Sequence, residues 1–108
     1  MNIDNDLVVK LSLAIVIGAT IGIERELRSK SAGFRTIMLI CLGATLFTIF
    51  SQVLGKGTSP DRMASNVVVG IGFLGAGVIF RSNTNRVNGI TTAASIWLAA
   101  ALGVGVGC

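Results

Sequence analysis

Four long runs of apolar residues, separated by short polar connections, constrain this chain more than any other feature. They cover residues 7–23, 36–54, 67–80, and a stretch that starts near Ile90 and is still apolar at the end of the sequence. A helix needs about 20 mainly apolar residues to cross the hydrocarbon core of a bilayer. The third run reaches this length if its helix begins near Asp61 or Met63. The sequence therefore predicts an all-α fold, a polytopic transmembrane helix bundle with four visible helices.

The composition excludes an ordinary soluble domain. Hydrophobic residues make up 52% of the chain and charged residues 13%, against about 25% charged residues in soluble proteins. The net charge of +4 does not indicate nucleic acid, because the basic residues other than Lys10 lie in the breaks between apolar runs. A nucleic-acid-binding protein gathers such residues on one face. The predicted surroundings are therefore the lipid bilayer, with no nucleic-acid partner.

The residues needed for most catalytic and metal sites are missing from the sequence. There is no histidine, the commonest general base and metal ligand, and Cys41 and Cys108 lie in apolar stretches where cysteine behaves as a small hydrophobe. The segment 70–75 matches G-x-G-x-x-G, but it lies inside an apolar run, without the preceding strand and the later acidic residue that a dinucleotide site requires. The sequence predicts no enzyme, no cofactor and no metal site.

The glycines are more readily explained by helix packing. Helices in lipid gain no hydrophobic stabilisation from each other and rely on small residues that let their backbones approach closely. The third run is so rich in glycine that we expect it to be a central, crowded helix. The alternative is a kink or a broken helix, which would favour transport. The candidate packing residues are Gly18, Gly22, Gly70, Gly72, Gly75, Gly77, Gly103 and Gly107.

Charged residues gather where the apolar runs end. They could anchor helix ends and set topology, or Glu24, Arg25 and Arg35 could form a buried cluster. In the fourth run, Thr91, Thr92 and Ser95 could line a polar seam, although such side chains more often bond to their own helix. Between the second and third runs, Ser59 is a candidate helix cap. The candidate charged cluster consists of Glu24, Arg25, Glu26, Arg35, Asp61, Arg62 and Arg81.

Several segments together resemble the N-terminal membrane domain of the MgtC/SapB family. The segments are GATIGIERELRSKSAGFR at 18–35, TIMLICLGATLFTIFS at 36–51, Asp61 with Arg62, VGIGFLGAGVIFR at 69–81 and VNGITTAASIWLAAALG at 87–103. The resemblance covers nearly the whole chain, so residues 1–108 are interpreted as one membrane domain of this type. The matched motif positions are Glu24, Arg25, Glu26, Gly33, Arg35, Thr36, Asp61, Arg62, Gly72, Gly75, Gly77, Arg81 and Thr92.

The resemblance implies a multi-pass protein of the bacterial inner membrane that is linked to magnesium limitation and to virulence through survival in macrophages. It implies a non-enzymatic regulator, with the proton-translocating ATP synthase as the suggested membrane partner. A transporter of magnesium or another ion is the alternative, and homo-oligomers are possible. Since the fourth run is still apolar at Cys108, we expect the domain to be truncated, with a fifth helix or a soluble domain beyond it.

Basic residues predict the orientation in the membrane, because cytoplasmic connections carry an excess of Lys and Arg. Residues 24–35 and 81–89 lie on one side and together contain six basic residues, whereas the other side contains three. The N-terminus is then outside, and the first and third connections are cytoplasmic. With Cys41 and Cys108 both changed to alanine, a membrane-impermeant maleimide should therefore label Lys56→Cys in intact cells and label Lys30→Cys only after lysis. The reverse pattern would contradict this topology.

Overall fold

The chain folds into a bundle of long helices that run back and forth. The computed structural model describes residues 5–30, 32–56, 61–81 and 86–108. Within these residues the helices are α1 Asn5–Leu27, α2 Phe34–Leu54, α3 Arg62–Arg81 and α4 Arg86–Gly107. All four are long and apolar enough to cross a membrane, which confirms the predicted transmembrane helix bundle. The candidate cap Ser59 lies outside the described residues.

Helices α2 and α4 form the centre of the bundle, and α1 and α3 flank them. Each central helix contacts the other three, whereas α1 and α3 do not touch within the described part of the chain. The prediction that the third helix is central is therefore wrong. Its glycines do not all face neighbours: a Cβ added at Gly70 or Gly77 would meet nothing within 4 Å. Only a narrow face of α3, with Ile71 and Gly75, is buried.

The bundle is thin, and much of its apolar surface faces outward. Its principal extents are 48 × 26 × 14 Å, so its smallest dimension is little more than the diameter of one helix, about 10–12 Å. Phe73 and Phe80 on α3 are both 81% exposed, and Val16 on α1 is 60% exposed. In a membrane this surface is covered by lipid chains or by other helices.

One face of α2 packs directly against glycines of α1. A Cβ added at Gly18 would lie 2.8 Å from the Cα of Met38 and 3.1 Å from the Cβ of Cys41. At Gly22 it would lie 2.7 Å from the Cα of Phe34. These distances are too short for any side chain, so the two helices are in backbone contact along this face.

A second pair of glycines brings α4 equally close to α2. A Cβ at Gly103 would overlap the carbonyl oxygen of Cys41 and lie 2.8 Å from the Cβ of Ala44. At Gly107 it would lie 2.6 Å from the Cβ of Thr48. Helix α2 thus packs against a glycine face of α1 near its start and a glycine face of α4 around its middle, and Cys41 is contacted by both.

Hydroxyl groups strengthen this central contact. The hydroxyl of Thr45, which is fully buried, is 2.9 Å from the carbonyl oxygen of Cys41 in its own helix and 2.9 Å from that of Gly103 in α4. One hydroxyl proton is thereby shared between two acceptors. Interhelical hydrogen bonds of this kind stabilise helix pairs in membranes by roughly 0.6–2 kcal/mol. The bond links α2 and α4 at the position where glycine brings them closest.

Side chains from neighbouring helices also satisfy helix ends. Ser51 of α2 accepts a hydrogen bond of 3.0 Å from the backbone N–H of Met63, in the first turn of α3. At the same end of the bundle, Lys10 of α1 donates a hydrogen bond of 3.0 Å to the carbonyl oxygen of Gly107, the last residue of α4. Terminal N–H and C=O groups lack partners within their own helix. These two contacts provide partners and fix the helices relative to each other.

Two glycines on α4 give a matched test of the close packing. Gly103→Ala should destabilise the bundle by about 1–3 kcal/mol, as overpacking of a filled interior does. Gly105→Ala should be neutral or slightly stabilising, because nothing lies within 4 Å of its added Cβ and alanine favours helix by about 1 kcal/mol over glycine. Reversible unfolding in detergent measures both. Equal effects at the two positions would contradict the packing described.

Candidate functional site

The first connection begins with a tight turn that ends α1. The N–H of Ser29 donates to the carbonyl oxygen of Glu26 at 3.1 Å, and the N–H of Lys30 donates to that of Arg25 at 3.0 Å. This pair of bonds is the Schellman arrangement, whose turning residue is usually glycine. Here Ser29 takes the left-handed conformation with φ 54°, at a cost of about 1–2 kcal/mol. The turn reverses the chain beside Arg25.

Arg25 is the centre of this region. It lies in the last turn of α1 and is only 6% exposed. Its Nε donates to the carbonyl oxygen of Ala32 at 3.0 Å, and its two terminal nitrogens donate to the hydroxyls of Ser95 at 2.9 Å and Thr92 at 2.6 Å. We call these four residues the Arg25 clamp. It joins α1, the first connection and α4.

The chemistry of the clamp suits a guanidinium group. Burying a charge is costly unless hydrogen bonds compensate for it, and arginine offers donors in a fixed, planar fork. Thr92 and Ser95 are three residues apart on α4 and therefore face the same side of the helix. Ser95 in turn donates a hydrogen bond of 3.1 Å to the carbonyl oxygen of Thr91. A lysine at position 25 could not reproduce this forked geometry.

The apolar part of α4 indicates how deep in the membrane the clamp lies. The part of α4 that is apolar enough to cross a membrane is Gly89–Gly107, and Thr92 lies one turn inside it. The guanidinium therefore sits near the boundary of the hydrocarbon core, at the end of the bundle that carries the first connection. Cationic groups at this depth face the interior of the helix bundle or a polar partner, since contact with lipid chains is unfavourable.

Glu26, the next residue, fastens the start of α2. Its Oε1 accepts a hydrogen bond of 2.9 Å from the backbone N–H of Phe34, the first residue of the helix. A carboxylate at this position is also favoured by the positive end of the helix dipole. Gly33 leaves room for it, because a Cβ there would clash with the same carboxylate oxygen. Arg25 and Glu26 thus order both sides of the connection.

The structure does not form the buried cluster of Glu24, Arg25 and Arg35. Glu24 is exposed and forms a loose ion pair with Arg28, with 3.9 Å between Oε1 and Nε. Arg35 is exposed in the first turn of α2. Successive residues of a helix point about 100° apart, so Arg25 faces α4 while Glu24 does not. The burial prediction is correct only for Arg25.

The other predicted charged residues lie at the ends of α3. Asp61 immediately precedes the helix and is exposed, and its carbonyl oxygen accepts a hydrogen bond of 2.7 Å from the hydroxyl of Ser65. Arg62 begins the helix and is exposed. Arg81 ends it, and its side chain lies outside the described structure. Asp61 and Arg62 lie at the opposite end of the bundle from the Arg25 clamp, because α3 begins at the end where α2 finishes.

Sequence reasoning identified some partners in the clamp and missed others. Thr92 and Ser95 were recognised as a possible polar seam, but nothing in their spacing named Arg25 as the group they bind. Ala32 carries no sequence signal, because it contributes a backbone carbonyl from a residue with φ 56°. Ser51, which caps α3, was also missed. A small hydroxyl residue near the end of an apolar run is the signal that could have indicated it.

The described residues contain no group of three or more His, Cys, Asp or Glu side chains able to hold a metal ion. The site is instead a structural junction of charge, hydroxyls and backbone at one end of a membrane bundle. Comparison with known proteins identifies the family of the chain. A sequence profile of the MgtC family matches residues 11–108. The chain belongs to the MgtC family.

Curated relatives agree with this assignment. Protein MgtC of Brucella abortus is 47% identical over 94 residues, which cover 87% of this chain and 39% of the relative. The putative magnesium transporter YhiD of Escherichia coli K12 is 44% identical over 110 residues, covering 94% and 51%. Protein SapB of Bacillus subtilis is 38% identical over 113 residues, covering 97% and 49%. No solved structure matches. The chain thus spans about half the length of these relatives, or less.

The clamp can be tested through one of its hydroxyl partners. Thr92→Val keeps the side-chain shape but leaves the buried guanidinium without one partner, which should cost about 1–3 kcal/mol of stability. Thr20→Val is the control, because Thr20 is exposed and bonds only to the carbonyl oxygen of Val16 in its own helix; its effect should be within about 0.5 kcal/mol. Unfolding in detergent compares them. A neutral Thr92→Val would contradict the clamp.

Proposed function

We propose that this chain is a non-enzymatic regulator in the bacterial inner membrane, acting under magnesium limitation and during survival inside host cells. It acts by contact with other membrane proteins, and ATP synthase is the proposed partner. Membership in the MgtC family supports the link with magnesium. The observation that carries the proposal is the closed packing of the central helices, which favours a protein that acts through its surface.

The closed packing leaves little space for a pathway between the central helices. Helix α2 meets Gly18 and Gly22 of α1 near its start and Gly103 and Gly107 of α4 around its middle, in both cases at backbone distance. Ion pathways through membrane proteins are lined by polar cavities or by irregular backbone. Opening one here would require the separation of the contacts that hold the described helices together.

The charge distribution also disfavours a cation site within this domain. Magnesium prefers carboxylate and water oxygens in an octahedral arrangement. Among the described residues, the exposed carboxylates Glu24 and Glu26 lie at one end of the bundle, and Asp6 and Asp61 lie at the other, where α1 and α3 begin. The buried charge nearest the membrane interior is the guanidinium of Arg25, which would repel a cation.

The exposed rim beside the first connection is the proposed contact surface. It combines an apolar side chain, Leu27, which is 80% exposed, with the exposed charges of Glu24, Arg28 and Arg35. The Arg25 clamp and Glu26 hold the backbone of this rim in place. A partner that crosses the membrane could meet both apolar and charged groups here.

Transport of magnesium or another ion is the second candidate function. It is favoured by one relative, which is named as a putative magnesium transporter and is 44% identical to this chain. In that case Glu24 and Asp61 would mark the two ends of a pathway. The residues beyond those of this domain in the longer relatives could then contribute groups that line it.

Purified protein in liposomes separates the two candidates. A magnesium-sensitive dye inside the vesicles should report no influx above that of protein-free vesicles, and a proton-sensitive dye should likewise report none. Sustained influx that depends on Glu24 or Asp61 would overturn the regulator in favour of the transporter.

Crosslinking in native membranes from magnesium-starved cells tests the contact surface. The chain should capture subunits of ATP synthase, and the double variant Arg28→Ala, Arg35→Ala should reduce capture severalfold. Lys56→Ala, a charge removal on an exposed residue at the opposite end, should not. Insertion and topology are verified for each variant. Unchanged capture in the double variant would contradict the rim as the contact surface.

A further inference from the structure

The outward face of α3 carries a regular pattern that the bundle itself does not use. Asn66, Gly70, Phe73, Gly77 and Phe80 follow one another at intervals of four, three, four and three residues, and all five are exposed. This is the spacing of the a and d positions of a heptad repeat. At 3.6 residues per turn the five residues fall within about 80° of the helix circumference. We call this stripe the α3 seam.

Asn66 is the unusual member of the seam. It begins the second turn of a helix that crosses the membrane, yet within the part of the chain described no hydrogen bond is found for its amide. It borders an apolar groove of about 480 Å³ between α2 and α3. An amide that faces lipid without a partner is unfavourable, and such residues usually form hydrogen bonds between helices.

The two seam glycines are also unexplained by packing within the bundle. A Cβ at Gly70 or Gly77 would meet nothing within 4 Å. In contrast, Gly75 on the opposite side of α3 is buried, and its Cβ would touch that of Ala93 in α4 at 3.5 Å. The seam therefore lies opposite the face of α3 that packs on α4 and beside the open groove between α2 and α3, where another helix could approach it closely without disturbing the bundle.

We propose that two copies of this chain form a parallel dimer in the membrane through the α3 seam. Copies inserted with the same topology present parallel α3 helices, related by a two-fold axis along the membrane normal. In a parallel pair with heptad spacing, each layer brings together the same residue from both copies. Asn66 would then face Asn66 of the second copy.

A second copy suits this surface for a chemical reason. The asparagine side chain has both a donor NH2 and an acceptor oxygen, so two such amides satisfy each other without any further partner. A single asparagine at such a position also fixes the register of a helix pair. Glycine layers alternate with the phenylalanine layers at 73 and 80, so the backbones can approach between the bulky rings.

Disulfide crosslinking in native membranes tests the dimer. With Cys41 and Cys108 both changed to alanine, single cysteines are introduced at seam position Phe73→Cys or at the control Val16→Cys on α1. Phe73→Cys should yield at least tenfold more crosslinked dimer than Val16→Cys, although both positions are exposed. Equal yields would indicate random collision and overturn the proposal. Crosslinks from position 73 to a different protein, without a homodimer, would overturn it as well.

A second measurement does not depend on the introduced cysteine. Asn66→Leu should weaken dimerisation in lipid vesicles about tenfold, the effect of losing an interhelical amide pair, while Asn66→Gln should largely preserve it. Energy transfer between labelled copies at varying protein-to-lipid ratios measures the affinity. Leucine is more apolar and a good helix former, so insertion should be retained. An Asn66→Leu protein that dimerises as strongly as the wild type would contradict the role of the amide.

Discussion

The structure depends on the contact of α2 with glycines of two neighbouring helices. In water, burial of apolar side chains would drive these helices together, but lipid chains are as apolar as leucine, and association must come from close packing and hydrogen bonds. Gly18 and Gly22 on α1, and Gly103 and Gly107 on α4, let backbones meet at distances that no side chain would allow. The hydroxyl of Thr45 in α2 then donates a hydrogen bond to the carbonyl oxygen of Gly103 in α4. A thin bundle with little buried apolar surface can be stable on this basis.

The Arg25 clamp adds a second kind of constraint at one end of the bundle. It joins the last turn of α1 to α4, two helices that otherwise have only a modest shared surface, and it holds Ala32 of the first connection in place. Glu26 continues the same ordering to the first N–H of α2. Charged groups that would be unfavourable in contact with lipid instead form hydrogen bonds that fix the backbone. What remains exposed at this end is a preformed rim suited to contact with another protein, which is the basis of the proposed regulatory function.

Sequence reasoning recovered the four helices because lipid imposes a length and an apolarity that few other environments require. It also indicated that glycines mediate packing, yet it could not tell which of them face a neighbour. Gly103 and Gly105 look alike in the sequence, but only Gly103 meets α2. The central position expected for α3 was wrong for this reason. Similarly, Glu24, Arg25 and Arg35 are equally polar, and only the rotation of α1 relative to α4 decides that Arg25 alone is buried. Ala32 contributes through its backbone, which no residue pattern reveals.

The most direct test of the central contact is solid-state NMR of the protein in lipid bilayers. With Cys108 changed to serine, a labelled cysteine carbonyl reports only on Cys41, and labelled glycine Cα atoms report on the neighbouring helices. The added Cβ at Gly103 would lie 3.2 Å from the Cys41 carbonyl carbon, so a strong dipolar contact between that carbonyl and the Cα of Gly103 is predicted. Gly103→Ala should abolish it while the contact to Gly43 within α2 remains. Absence of the interhelical contact in the unchanged protein would contradict the packing of α2 against the glycine face of α4.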